Sequence, residues 1–182
     1  PLDRDRLFAQ SRYSSDEKDY LNAPMDRETY EDFITQLIVA QRIVLKDFES
    51  HDLFQACQPL EEIARKGRDA LRFGALKPVG LIDPRTDRRP WAAVQLRAEN
   101  TDRTAYNLVG FQTNLTFAAQ QQVFRMIPGL ERAEFLRYGV MHRNTFIDSP
   151  KLLDPTYALR KEPRIRFAGQ MTGVEGYMES AG

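Results

Sequence analysis

The chain has 182 residues, 26 basic and 26 acidic side chains, one Cys, two His and 42% hydrophobic residues. That length suffices to bury the core of one domain, or of one and part of another, whereas a single Cys and two His exclude a disulfide scaffold and a Cys/His metal cluster. No apolar run approaches the ~20 residues of a bilayer span, and the opening at Pro1 shows no basic and apolar leader, so a cytoplasmic protein without a membrane anchor is expected.

The balanced charge hides an uneven distribution. Residues 1–63 hold 7 basic and 14 acidic side chains, residues 64–103 hold 10 and 5, and residues 104–182 hold 9 and 7. A basic middle can form one face for a polyanion even at neutral pI; the alternative is a solvated surface.

In chain order, residues 11–23 are polar and Pro24 punctuates them, which reads as a surface connection. Asp26 precedes Tyr30, Phe33, Ile34, Leu37 and Ile38, a spacing that predicts a capped helix to about Gln41. A second helix is predicted from Pro59 to Gly74, with Glu61 and Glu62 favoured by the macrodipole in its first turn and Leu60, Ile63, Ala64 and Leu71 on one face. Residues 79–82, 91–96 and 106–111 are short β-branched or aromatic runs between turn residues and predict an antiparallel meander. Thr116 caps a predicted helix that ends before Pro128-Gly129, and residues 134–141 read as a further strand. Residues 164–168 read as a buried strand, and residues 173–180 as the first turns of a helix.

Several residues could carry chemistry. The strand, glycine turn and helix start around Gly169, Gly173 and Gly176 could present backbone amides to a phosphate or a polarised ring, or simply close a tight β-to-α connection. Cys57 stands two residues before Pro59, where a helix N-terminus favours thiolate; a lone Cys equally fills space as a small hydrophobe. His142 and Arg143 follow a predicted strand end, where polar groups converge on ligands or satisfy local structure. Trp91 and the Phe residues are assigned to the core rather than to base stacking.

Residues 11–33 (SRYSSDEKDYLNAPMDRETYEDF), 54–67 (FQACQPLEEIARKG), 72–100 (RFGALKPVGLIDPRTDRRPWAAVQLRAEN), 106–115 (YNLVGFQTNL), 124–153 (FRMIPGLERAEFLRYGVMHRNTFIDSPKLL) and 167–182 (FAGQMTGVEGYMESAG) resemble successive blocks of the TrmFO (Gid) family. Those proteins are folate- and FAD-dependent tRNA uracil-C5 methyltransferases related to the GidA/MnmG flavoproteins. The family opens with a Rossmann-type unit carrying GxGxxG, which this sequence lacks, so the chain resembles an internal piece.

The resemblance implies an α+β fold in which an antiparallel or mixed sheet is flanked by helices. Residues 1–25 would connect from the FAD-binding domain, 26–125 would form an insertion domain, and 126–182 would return into the Rossmann-type FAD-binding domain. It implies transfer of a methylene from 5,10-methylenetetrahydrofolate to uridine 54 in the tRNA T arm, reduction by FADH2, and NAD(P)H as reductant. Uracil C5 is a poor nucleophile, so a thiolate adds at C6 to create an enolate that attacks the one-carbon group. Cys57 matches one family cysteine, as nucleophile or as base. Gly169, Gln170, Met171, Thr172, Gly173, Val174, Glu175 and Gly176 match the flavin-contacting segment. Arg65, Lys66, Arg88, Arg89, Arg97, His142 and Arg143 are the expected tRNA contacts. The alternatives are a non-catalytic RNA-binding fragment and a GidA/MnmG-like modifier of the wobble uridine.

Overall fold

A computed structural model of the chain describes residues 2–13, 18–43, 58–141, 147–174 and 178. They fall into two compact units that divide after Met141. The first contains strands β1 (Phe8–Ala9), β2 (Tyr20–Met25), β3 (Ala92–Ala98) and β4 (Tyr106–Leu108), joined in that order into an antiparallel sheet, and helices α1 (Arg27–Val39), α2 (Leu60–Lys66) and α3 (Phe117–Phe124). This is the expected α+β architecture with an antiparallel sheet.

Helix α1 follows its sequence pattern. Tyr30, Phe33, Ile34 and Leu37 are fully buried on one stripe, and Asp26 Oδ1 accepts the Thr29 amide at 2.8 Å. Tyr30 also donates its hydroxyl to the Arg68 carbonyl at 2.6 Å, so the ring is buried without losing its polar partner. Helix α3 is capped in the same way by Thr116, which accepts the Ala119 amide at 3.3 Å.

The polar stretch before α1 is no surface connection, because Tyr20–Met25 runs beside β3 from Tyr20↔Arg97 to Met25↔Ala92. Pro24 is tolerated there because β1 pairs only with Leu21 and Asn22, so the proline interrupts no ladder on that side. Strand β3 is buried on both faces: Ala92, Val94 and Leu96 join the helical core, while Ala93 packs with Phe8 and Leu81. On the latter face, Gln95 donates to Asn22 at 3.1 Å and Asn22 donates to the Gln10 carbonyl at 2.9 Å, so the buried amides satisfy one another.

Two further expected strands are absent. Residues 79–82 form a turn in which Gly80 adopts φ +84°, and a Cβ there would stand 2.3 Å from the Arg12 carbonyl oxygen. Residues 134–141 form no strand; within them Gly139 pairs with a side chain instead, as Gln120 donates to its carbonyl and accepts its amide, both at 2.8 Å. The predicted second helix breaks at Gly67 and resumes as a 3-10 turn, Ala70–Phe73.

Glu61 does more than complement a macrodipole. It is fully buried, accepting the Thr113 hydroxyl at 2.9 Å and the Asn114 amide at 2.6 Å, while the Leu60 amide donates to the Gln112 carbonyl at 2.9 Å. These bonds fasten the start of α2 to the segment before α3. Ile43, on the other side of residues 44–57, donates to the Asn114 carbonyl at 2.7 Å.

The second unit carries α4 (Ser149–Leu152) and an antiparallel hairpin of β5 (Ala158–Leu159) and β6 (Glu162–Arg166). The expected buried strand is therefore shifted and exposed. Its only strand partner among the described residues is two residues long, and Arg164 lies on the surface in an ion pair with Glu162 at 2.7 Å. The helix expected over 173–180 lies largely outside the described residues, and no parallel βαβ unit occurs among them.

Replacing Glu61 by Ala strands two buried donors, so we expect a loss of about 2–4 kcal/mol in urea unfolding. Glu62→Ala removes only the exposed ion pair with Arg42 and is expected to change stability by less than about 1 kcal/mol.

Candidate functional site

The end of the β2–β3 ladder builds a cleft. Trp91 donates its amide to the Met25 carbonyl at 3.0 Å, one step past the last strand pair, which sets the approach to β3 beside the start of α1. Arg27, Arg72, Phe73, Lys77, Arg89 and Trp91 line an open cleft of about 800 Å³.

Arg72 is the brace of this cleft. Its guanidinium carbon lies 3.6 Å from the Trp91 ring centroid, its Nε donates to the Trp91 carbonyl at 2.9 Å, and Asp69 pairs with it at 3.1 Å. Arg27 also approaches the indole, at 5.2 Å. The two carboxylates at the cleft are already engaged. Asp26 caps α1, and Asp83 accepts Arg85 Nη2 at 2.7 Å and Arg85 Nε at 2.9 Å. The Arg85 hydrogen bonds hold the Asp83 carboxyl below the usual aspartate range, against the opposing effect of burial. Arg27, Lys77 and Arg89 have no carboxylate partner among the described residues, so the lining carries uncompensated positive charge.

Of the described residues expected to contact tRNA, only Arg89 lines this cleft. Arg89 lines the cleft, while Arg88 lies exposed in the adjoining turn, where its carbonyl accepts the Asp83 amide at 2.9 Å. Arg65 donates to the Ile38 carbonyl at 2.6 Å and so caps the end of α1. Lys66 donates to Gln58 at 2.5 Å. Arg97 lies six residues beyond Trp91 along β3, roughly 20 Å away at strand spacing, and pairs loosely with Glu99 at 3.8 Å. Arg27 precedes the basic segment and was not singled out by charge counting. Arg-Arg-Pro-Trp at 88–91 was the available signal, and assigning Trp91 to the core concealed it. Trp91 is in fact half-buried against the core and half lining the cleft. Phe73, assigned to the core as well, is 83% exposed.

In the second unit, Gly169–Thr172 is a 3-10 turn. Thr172 donates its hydroxyl to the Gly169 carbonyl at 2.7 Å, and the Gly173 amide donates to the Gln170 carbonyl at 3.0 Å. Ser149 and Ile147 tie the turn to the base of α4 through the Thr172 and Met171 carbonyls. Gly173 adopts φ +94°, and a Cβ there would meet nothing within 4 Å. The space beside this glycine is therefore open, and Gln170 and Met171 are exposed next to it. Cys57, His142, Arg143, Glu175 and Gly176 lie outside the described residues. Among the described residues no cluster of His, Cys, Asp and Glu could hold a metal ion, and no helix is long and apolar enough to cross a membrane.

The whole sequence, residues 1–182, matches the family described as glucose inhibited division protein A. The chain belongs to that family. Among curated proteins it is 59% identical over its full length to methylenetetrahydrofolate–tRNA-(uracil-5-)-methyltransferase TrmFO of Pelobacter propionicus and to that of Geobacter sulfurreducens. It is 56% identical over 99% of its length to the TrmFO of Acetivibrio thermocellus. The chain spans 40–42% of the length of these relatives. Among solved structures, GidA of Aquifex aeolicus superposes with a TM-score of 0.52 at 18% identity, covering 99% of this chain and 28% of that one. The fold is thus shared within the glucose inhibited division protein A family at low identity, while the sequence places the chain beside the TrmFO members.

Two measurements check the cleft. Trp91 is the sole tryptophan, so Arg72→Ala, which uncovers its ring, is expected to shift its emission to the red and cost about 1–2 kcal/mol in unfolding. The Asp83 carboxyl is lowered in the folded state. Its stabilisation is therefore present above the ordinary value of 3.8 and lost as the pH falls through the native value. The stability gap between wild type and Asp83→Asn should hold steady at neutral pH and narrow on acidification below about pH 4.

Proposed function

We propose that this chain is the middle portion of a tRNA (uracil-54-C5) methyltransferase that uses 5,10-methylenetetrahydrofolate as carbon donor, FAD as redox cofactor and NAD(P)H as reductant. The observation that carries this reading is the 59% identity to TrmFO proteins along all 182 residues. The matched length includes the block around Cys57, the basic segment and the glycine turn alike.

In this reading Cys57 is the chemical residue. Its thiolate adds at C6 of the uracil so that C5 becomes nucleophilic toward the one-carbon group, or it assists removal of the C5 proton once the new bond at C5 has formed. The start of α2, held by Glu61, is the support from which that segment extends. Residues 126–182 form the return into a Rossmann-type FAD-binding domain. The open backbone at Gly173 fits a flat ring system, with Gln170, Met171 and Val174 beside it and Glu175 and Gly176 following in sequence. Flavin held there would supply the reducing equivalents that convert the transferred methylene to a methyl group, with NAD(P)H as the source of its electrons. The basic cleft of Arg27, Lys77 and Arg89 faces the T arm, and its excess charge supplies the salt-dependent part of tRNA affinity. His142 and Arg143 remain proposed tRNA contacts.

The test uses the full-length protein that contains this chain. Supplied with unmodified tRNA, 5,10-methylenetetrahydrofolate and NADPH, it should form 5-methyluridine at position 54. Cys57→Ser should reduce turnover by at least about 100-fold while leaving bound FAD and the unfolding midpoint unchanged. Wild-type turnover by the Cys57→Ser protein would refute the role given to this residue, and absence of methylation by the wild type would refute the function itself.

A further inference from the structure

Phe73 is presented to solvent by a well-anchored turn. Leu71, two residues earlier, is fully buried and its carbonyl accepts the Gly74 amide at 3.1 Å and the Leu76 amide at 2.9 Å. Arg72, immediately before it, is pinned on the indole of Trp91 by the contacts given above. The turn therefore holds the Phe73 ring outward, 83% exposed, where hydrophobic burial alone would draw it in. No ring or cation contact engages Phe73 among the described residues.

The surroundings of that ring are cationic. Arg27, Lys77 and Arg89 line the same cleft without carboxylate partners among the described residues, and the carboxylates of Asp26 and Asp83 are committed elsewhere. The cleft, at about 800 Å³, falls within the ~300–1,000 Å³ of small-ligand sites. A free aromatic face beside uncompensated cations matches an unpaired nucleotide, whose base offers a π face and whose flanking phosphates offer negative charge. A duplex offers the phosphates but hides its base faces.

We propose that Phe73 is a stacking platform for one unpaired base of an RNA, with the phosphates next to that nucleotide held by Arg27, Lys77 and Arg89. The proposal rests on the RNA-facing role of the cleft and adds to it a preference for looped over paired RNA. Trp91 is not the platform, because Arg72 already occupies its face; it serves as the wall against which the cations are arranged.

The experiment measures binding of the full-length protein to a fluorescein-labelled RNA hairpin and to a blunt duplex of the same stem, by anisotropy over a range of salt. Phe73→Ala should weaken hairpin binding about tenfold and leave duplex binding and the salt slope unchanged. Phe73→Leu keeps an apolar side chain without a π face and should behave like Phe73→Ala. The combined Arg27→Gln, Lys77→Gln and Arg89→Gln variant should lower the salt slope for the hairpin by about 2, at about 0.7 for each single-strand phosphate contact. Unchanged hairpin affinity in Phe73→Ala, or full affinity in Phe73→Leu, would overturn the stacking role while leaving the RNA-facing cleft in place. An unchanged slope in the triple variant would remove the cleft from the RNA interface altogether. Displacement of the hairpin by polyglutamate with the same dependence on Phe73 would overturn the proposal in favour of an acidic peptide.

Discussion

The register between β2 and β3 is the constraint from which the first unit is organised. It runs for six residue pairs, from Tyr20↔Arg97 to Met25↔Ala92, and joins segments about seventy positions apart in the chain. Slipping it by one residue would turn Ala23 and Met25 away from the core and drive Asn22 into it. The Asn22–Gln95 pair opposes such a slip, since two buried amides satisfy each other only in the observed alignment. The Trp91 amide extends the ladder to the Met25 carbonyl, and α1 begins two residues after that carbonyl. The basic cleft is a consequence of this ladder end: Arg27 arrives from one strand's exit and Arg89 from the other's entry.

A second fastening governs the edges of residues 44–57. Glu61, Leu60 and Ile43 all bond within 112–114, and Thr116 donates to the Gln41 carbonyl at 3.0 Å before capping α3. Both flanks of the segment containing Cys57 are therefore bound to one short stretch of chain. A buried carboxylate with two donors is costly to disturb, because its loss leaves those donors without water or partner.

Basic residues of similar sequence context have different physical fates. Arg65 terminates α1, Arg68 bonds Glu31 and Thr35, Arg72 braces Trp91, and Arg85 closes the turn with Asp83. Arg27, Lys77 and Arg89 line the cleft without a carboxylate partner among the described residues. Net charge counts all seven equally, whereas a cation paired with a carboxylate contributes less to an external field than one that is not. The fold gathers these three at one end of the sheet.

The local rules were legible where they acted within a few residues. The α1 stripe and its Asp26 cap and the Thr116 cap of α3 follow from periodicity and capping chemistry that need no distant partner. Strand β2 was not legible, since its burial comes from β1 and β3 and its proline is harmless only because β1 stops short of it. The segment at 134–141 has strand-like composition but forms no strand; its Gly139 pairs with the Gln120 side chain, a contact across nineteen positions that no local pattern encodes. Family membership and the chemistry implied at Cys57 are properties of the sequence itself. The exposure of Phe73, the burial of Glu61 and the choice of which cations remain free were decided by the tertiary structure, because each depends on what the fold brings alongside the side chain.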